Sequence, residues 1–288
     1  MKNYVIYVDS ACDITPDILN EWGVKTCSLS LMFSGSDKEY SDYEIPANEF
    51  YNRMREGAIP KTSAANMGKF KEAFEAELKA GNNIFYLGFT SGLSATYTFA
   101  CQAAEELMQE YPDSKIMTVD SLCASAGYGL LLYFMVELKA GGASMEELYA
   151  FAEDKKLKIT HWFTVEDLKY LKAGGRISPT TALVGTVLGI KPIMKVDDEG
   201  RLISVTKVRG RKASLEALAE RYGEYAVTPN EGTVFISHGD CLDDANYLAK
   251  LIKDGYGVDV KIITNVGPVI GSHSGPGTMA LFFVAKQR

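Results

Sequence analysis

The stretch IFYLGFTSGLSATY, Ile84 to Tyr97, sets the architecture. Its first six residues form an apolar run of the length and aromatic content of a buried strand. The hydroxyl residues from Ser91 to Thr96 break that run, and a helical pattern near 95–110 follows. A strand that ends in a polar turn and opens a helix is the unit from which α/β folds are assembled. Working outward, YVIYV (4–8) precedes Thr15-Pro16, an N-cap and N1 pair opening a helix to Trp22. VKTCSLSLMF (24–33) and SKIMTVD (114–120) read as further strands, with helices near 46–56, 67–80 and 124–140. The pattern predicts an α/β fold with a largely parallel sheet.

Beyond residue 157, strand runs are expected at 159–163, 191–196, 202–208, 233–237, 258–263 and 279–285. Helices are expected near 145–156, 166–172, 179–188, 212–225 and 241–254, with a hairpin turn at Asp197-Asp198-Glu199-Gly200. A chain of 288 residues sits at the upper size of a single core, so two lobes are expected, 1–157 and 158–288. The N-terminal apolar run is too short for a signal-peptide core or a spanning helix. Five scattered cysteines without a C-x-x-C pair indicate neither a disulfide framework nor a thiolate zinc site, and fit a reducing cytoplasm. With 37 acidic against 30 basic residues and only short basic patches, nucleic acid is a poor partner.

In open α/β sheets, ligands bind at the carboxyl ends of strands and beside helix N-termini. Four polar clusters fall there: Asp9-Ser10, Thr62-Ser63, Ser91 to Thr96 and Asp120-Ser121. Each alone reads as a helix cap. Together, rich in hydroxyls and free of lysine, they suit an anion or a carboxyl oxygen. Gly92-Leu93-Ser94-Ala95-Thr96 also comes within one glycine of a nucleophile elbow, which would make Ser94 a nucleophile with His273 as its base. Of the three histidines, His161 lies in an apolar strand and reads as a core residue, and His238 reads as a loop ligand or a cap. His273 lies in VGPVIGSHSGPG (266–277), a Gly/Pro-rich loop with a tight backbone path.

The segments YVDSACDI, KTSAAN, SGLSATY, VDSLCASAGYG, FTVEDLKYLKAGGRIS, LGIKPI and VGPVIGSHSGPG occur in the order seen in the DegV family of bacterial fatty-acid-binding proteins (FakB-like). The resemblance spans nearly the whole chain. It implies a two-lobed fold enclosing one long-chain fatty acid, whose carboxyl group is presented to an ATP-dependent fatty acid kinase that makes acyl-phosphate for phospholipid synthesis. It implies no cofactor, no catalytic residue and no metal, and leaves room for transient membrane contact. By the same resemblance Thr62, with Ser63, and Ser94 and His273 would hold the carboxyl group, and Arg176 would serve presentation or contact the phosphate. Two positions depart from the family pattern: Ala64-Ala65 replaces the usual proline, and Ala95 the usual glycine.

Physical chemistry supports a carrier. Hydroxyls and helix dipoles offset the lost hydration of a carboxylate without the grip of a lysine pair. The tail supplies the affinity, because each buried methylene contributes about 0.8 kcal/mol. Ser94 is then a donor, the alternative being a serine hydrolase or acyltransferase using Ser94 and His273. Leu183, Val184, Val187, Leu188 and Ile190, in the apolar segment ALVGTVLGI (182–190), are candidates to line the tail or to pack in the core.

Overall fold

The structure is a computed structural model that describes residues 3–177 and 189–288. Strand β1 (Tyr4–Asp9) opens the chain and is followed by helix α1 (Pro16–Glu21). Thr15 takes the N-cap position and Pro16 the first helical one, although the Thr15 hydroxyl makes no capping bond. The run 24–33 divides into two strands, β2 (Val24–Cys27) and β3 (Ser30–Phe33). The break falls at Ser28-Leu29, where the Leu29 amide donates to Ser10 Oγ at 3.0 Å and Ser28 Oγ meets Ser41 Oγ at 2.7 Å.

The division arises because the two strands join different sheets. β2 lies in a parallel sheet of order β2-β1-β6-β7, with β6 (Asn83–Gly88) and β7 (Ile116–Asp120). β3 is the middle of an antiparallel sheet between β4 (Glu39–Ser41) and β5 (Pro60–Ser63). Neither β4 nor β5 is marked in the sequence by apolar alternation. They are short edge strands, and β5 starts on Pro60, where no ladder donor is needed. Helices α2 (Ala47–Arg55), α3 (Met67–Lys79) and α4 (Thr96–Glu110) complete this half.

Helix α5 (Ser125–Ala140) is buried on every side over its first two turns, as its unbroken apolar sequence requires. It packs against the turn Ser10–Cys12 and α6 (Met145–Lys155), and against three strands of the second sheet, β8, β11 and β13. That sheet has the order β10-β9-β8-β13-β11-β12 and is antiparallel except for the β11–β12 pair. Its strands are β8 (Ile159–Thr164), β9 (Ile190–Val196), β10 (Leu202–Arg209), β11 (Val234–His238), β12 (Ile262–Asn265) and β13 (Met279–Val284). Helix α7 (Lys169–Ala173) follows β8, while α8 (Arg211–Tyr225) and α9 (Leu242–Tyr256) cover the other face. The expected hairpin joins β9 to β10, with Asp197 Oδ1 accepting from the Glu199 and Arg201 amides at 3.0 and 2.8 Å. The helix expected near 179–188 lies outside the described residues.

VGPVIGSHSGPG differs from its expectation as a loop. Residues Pro268–Ser274 form helix α10. Its Gly/Pro content hides it, because tertiary contacts rather than propensity hold it. Asp13 Oδ1 accepts from the Gly267 amide at 2.9 Å and Asp42 Oδ1 from the Val269 amide at 2.8 Å, so two buried carboxyls cap its N-terminus. One hydrophobic core runs through both halves, joining Ile6, Phe85 and Leu131 to Phe163, Phe235 and Phe282. A second, under α8 and α9, gathers Trp162, Leu218, Tyr222, Leu248 and Phe283.

Candidate functional site

Where α10 passes between the halves, a cavity of about 290 Å³ opens, close to the lower end of ligand-pocket volumes, ~300–1,000 Å³. Strand ends and helix ends supply its walls. β5 delivers Thr62 and Ser63, the turn after β6 delivers Leu93, Ser94 and Ala95, and α10 delivers Val269, Ile270, His273 and Ser274. Arg176 comes from the segment after α7, and β8, β9 and β13 contribute Phe163, Val196, Ala280 and Phe282. The helix spacing explains the α10 face: residues 269, 270, 273 and 274 fall on one side, so its first turn is apolar toward the cavity and its second polar.

Thr62, Ser63, Ser94, His273 and Arg176 therefore line one space, although Thr62 and His273 are 211 residues apart in sequence. Thr62 Oγ1 lies 2.7 Å from His273 Nε2. His273 Nδ1 is buried without a hydrogen-bond partner and faces Gly174, where an added Cβ would stand 2.2 Å from it. Only glycine admits the ring so close. We assign the imidazole proton to Nε2, since a proton on Nδ1 would be a buried donor with no acceptor. Thr62 then accepts from the ring, and its own hydroxyl proton is free to point into the cavity. Burial, and next the charge of Arg176, pull the His273 pKa down to about 4, so the ring is neutral at pH 7.

Ser94 Oγ pairs with Thr96 Oγ1 at 2.9 Å and accepts from the Thr96 amide at 3.2 Å, so its partner is the α4 start and not an imidazole. A base with a pKa near 4 and no orienting acid among the described residues is also poorly suited to activating a serine. Ala95 has ordinary helical angles, φ −75° and ψ 0°, so the position makes no demand for glycine. Arg176 Nε donates to the Leu93 carbonyl at 3.2 Å and Nη1 to the Gly174 carbonyl at 2.5 Å, fixing the guanidinium at the cavity mouth. Burial lowers its pKa.

The other polar clusters divide differently. Asp9 Oδ2 accepts from Tyr86 Oη at 2.8 Å and the Phe89 amide at 2.9 Å, and Asp120 Oδ1 accepts from the Ser91 and Leu122 amides at 3.2 and 3.0 Å. Both brace the turn that carries Ser94. His161 is buried and paired, and its ring lies at the cavity wall: Nε2 accepts from the Ala124 amide and Nδ1 donates to the Ile159 carbonyl, each at 3.1 Å. His238 Nδ1 accepts from the Cys241 amide at 3.2 Å, at the start of α9.

Of the candidate tail residues, Leu183, Val184, Val187 and Leu188 lie outside the described residues. Ile190 opens β9 opposite Arg209 and is not among the cavity residues. The cavity instead meets Val196 at the far end of that strand, about 20 Å away at ~3.3 Å per residue. Sequence reasoning missed Ser125 on α5 and Ser237 on β11, which line the cavity wall. The signals were a serine inside the apolar run VFIS and, for Ser125, its place in the family segment VDSLCASAGYG.

Fold and site thus define an α/β protein with an open amphipathic cavity, lined by polar groups from strand and helix ends and by apolar side chains. Residues 3–286 match the family model described as "Uncharacterised protein, DegV family". A DegV domain-containing protein of Clostridium perfringens (strain 13 / Type A) is 43% identical over 291 residues, covering 100% of this chain and 99% of that one. Among solved structures, a DegV lipid-binding protein from Thermotoga maritima is 28% identical, with a TM-score of 0.88 over 99% of both chains. A structure described as fatty acid binding of a DegV family protein from Thermus thermophilus is 28% identical, with a TM-score of 0.88 over 99% of this chain and 100% of that one. A stearic acid-binding protein from Eubacterium ventriosum is 25% identical, with a TM-score of 0.89 over 98% of both. This chain belongs to the DegV family.

Proposed function

We propose that this protein binds one long-chain fatty acid between its lobes, taken as 1–157 and 158–288, and presents the carboxyl group to a fatty acid kinase for acyl-phosphate formation. The observation that carries the reading is the polar cluster at the cavity mouth. The Thr62 hydroxyl, oriented by the bond it accepts from the neutral His273, and the Ser94 hydroxyl offer hydrogen bonds, and Arg176 offers charge beside them. A carboxylate entering there exchanges water for these donors. The apolar wall takes the tail, and ~16 carbons at about 0.8 kcal/mol each give on the order of 12 kcal/mol before the cost of association. Fatty-acid ligands in the named relatives of known structure support the same assignment.

The carrier reading predicts a stoichiometric fatty acid in the organic extract of the purified, denatured protein, measured by mass spectrometry. Delipidation is expected to lower the thermal midpoint and add-back to restore it, since a ligand that binds only the folded state stabilises it. A midpoint indifferent to saturated and unsaturated acids alike overturns the reading. Among the described residues no helix is long and apolar enough to cross a membrane.

A further inference from the structure

Arg288 is buried, at 9% exposure, and its guanidinium meets no carboxylate among its hydrogen-bond partners. Nε donates to the Ile159 carbonyl at 3.2 Å. Nη1 donates to the carbonyls of Leu122 and Asp197 at 2.8 and 3.1 Å. Nη2 donates to those of Lys156 and Ile159 at 2.9 and 3.1 Å and lies 3.1 Å from Cys123 Sγ. Burying a cation without a counter-charge costs free energy, and here carbonyl dipoles from three distant parts of the chain offset it.

Arg288 is not among the residues that line the cavity, yet its partners are built into the walls. Asp197 opens the β9–β10 turn, and Val196 before that turn and Leu202 after it both face the cavity. The Asp197 carbonyl also accepts from the Gly200 amide at 3.0 Å, so the guanidinium grips the turn at the bond that closes it. The Ile159 carbonyl is shared between Arg288 and Nδ1 of His161, a wall residue. Burial, and next the charge of Arg288, hold the His161 pKa well below its usual value, so the ring is neutral there.

The hairpin meets the turn after β6 along a seam. Thr90 Oγ1 donates to the Gly200 carbonyl at 3.1 Å, and a Cβ added to Gly92 would stand 2.5 Å from the Glu199 carbonyl oxygen. The Thr90 amide in turn donates to the Cys123 carbonyl at 3.1 Å, which ties that turn to the segment Leu122-Cys123. Nη1 of Arg288 bridges the two sides, with Leu122 on one and Asp197 on the other.

Resting on the carrier reading, we propose that Arg288 is a positioning residue for the bound fatty acid: its guanidinium latches the β9–β10 hairpin to the Thr90–Gly92 turn and thereby sets how slowly the acid leaves. With the latch closed, Val196 and Leu202 stay in the cavity wall. Without it the hairpin parts from the turn, water reaches the apolar wall and the tail gains a way out. The role needs a fork of donors, because the single nitrogen of a lysine cannot reach Leu122, Asp197 and Ile159 together.

Stopped-flow fluorescence tests this on the full chain loaded with cis-parinaric acid, a fluorescent polyene fatty acid, and mixed with excess oleate. Arg288→Ala is expected to release the probe about tenfold faster than the parent, the effect of losing one charged hydrogen bond across the seam. Arg288→Lys should resemble Arg288→Ala. Gly200→Ala opens the same seam, so combining it with Arg288→Ala should add little to the rate, whereas two independent losses of stability would multiply. Parental release from either Arg288 variant, or effects that multiply in the double variant, overturns the inference. Gly92→Ala tests the seam without touching Arg288: its Cβ presses on Glu199 and should also speed release, and a parental rate there overturns the latch even if no Arg288 variant folds. Each of these outcomes leaves the carrier reading intact as long as the parent binds the probe. A parent that binds neither cis-parinaric nor oleic acid overturns both.

Discussion

Replacing Thr62 with valine keeps the side-chain shape and deletes the oxygen 2.7 Å from His273 Nε2. The imidazole then has no partner, because Nδ1 is already buried against Gly174 without one. An unmet buried donor costs about 1–3 kcal/mol. For 288 residues, an unfolding entropy of ~2.1 cal/mol/K per residue gives ~0.6 kcal/mol/K, so the ligand-free Tm should fall by about 2–5 °C. In the complex, the carboxylate also loses a charged hydrogen bond of about 1.5–3 kcal/mol, a weakening of roughly 10- to 150-fold. Calorimetry of the delipidated protein reads the first effect and a fatty acid titration the second. Thr62→Ser, which keeps the hydroxyl, should recover most of both. In a His273→Phe background the stability cost of T62V should disappear, because the stranded donor is gone. A parent-like Tm and parent-like affinity for Thr62→Val would refute the Thr62–His273 arrangement as the carboxyl site.

Further outcomes follow from other contacts. Gly200 stands at φ +74°, and a Cβ there would lie 1.9 Å from Thr90 Oγ1, the group that donates to the Gly200 carbonyl at 3.1 Å. Gly200→Ala should therefore undock the β9–β10 turn, lower the Tm by about 3–7 °C and speed fatty acid release, read by melting and by competitive displacement; unchanged release separates the hairpin from ligand exchange. Burial raises the Asp42 carboxyl from 3.8 to about 7, so the native state binds the proton more tightly and its stability falls as pH rises from about 4 to 7. Asp42→Asn retains an oxygen for the Val269 amide and should gain Tm relative to the parent at pH 8 but not at pH 5, and an equal difference at both values dismisses the assignment. Arg176→Ala should copurify with lipid yet lose most acyl-phosphate trapped with hydroxylamine in the presence of a fatty acid kinase and ATP; parent-level turnover removes Arg176 from presentation.

The parallel half of the fold was legible in the sequence because buried parallel strands are near-continuous apolar runs, as IFYLGF is, and their polar ends announce the helices that follow. The resemblance of GGRIS, SGLS and GSHSGPG segments to one family also marked the residues that line the cavity mouth. Local pattern could not locate β4, β5 or α10. Each is short and poor in intrinsic propensity, and exists because partners distant in the chain complete it: β3 for the strands, Asp13 and Asp42 for the helix. The same limit applies to chemistry. Sequence gave His273 a Gly/Pro-rich setting, but its lowered pKa, its bond to Thr62 and its contact with Gly174 arise from segments about 100 and 200 residues away. Ser125 and Ser237 are separated by 112 residues, and nothing in either neighbourhood marks them as a pair. Residue type determined which side chains could donate hydrogen bonds. Tertiary packing decided which of them lost water together, and that shared desolvation makes a binding site from scattered polar residues.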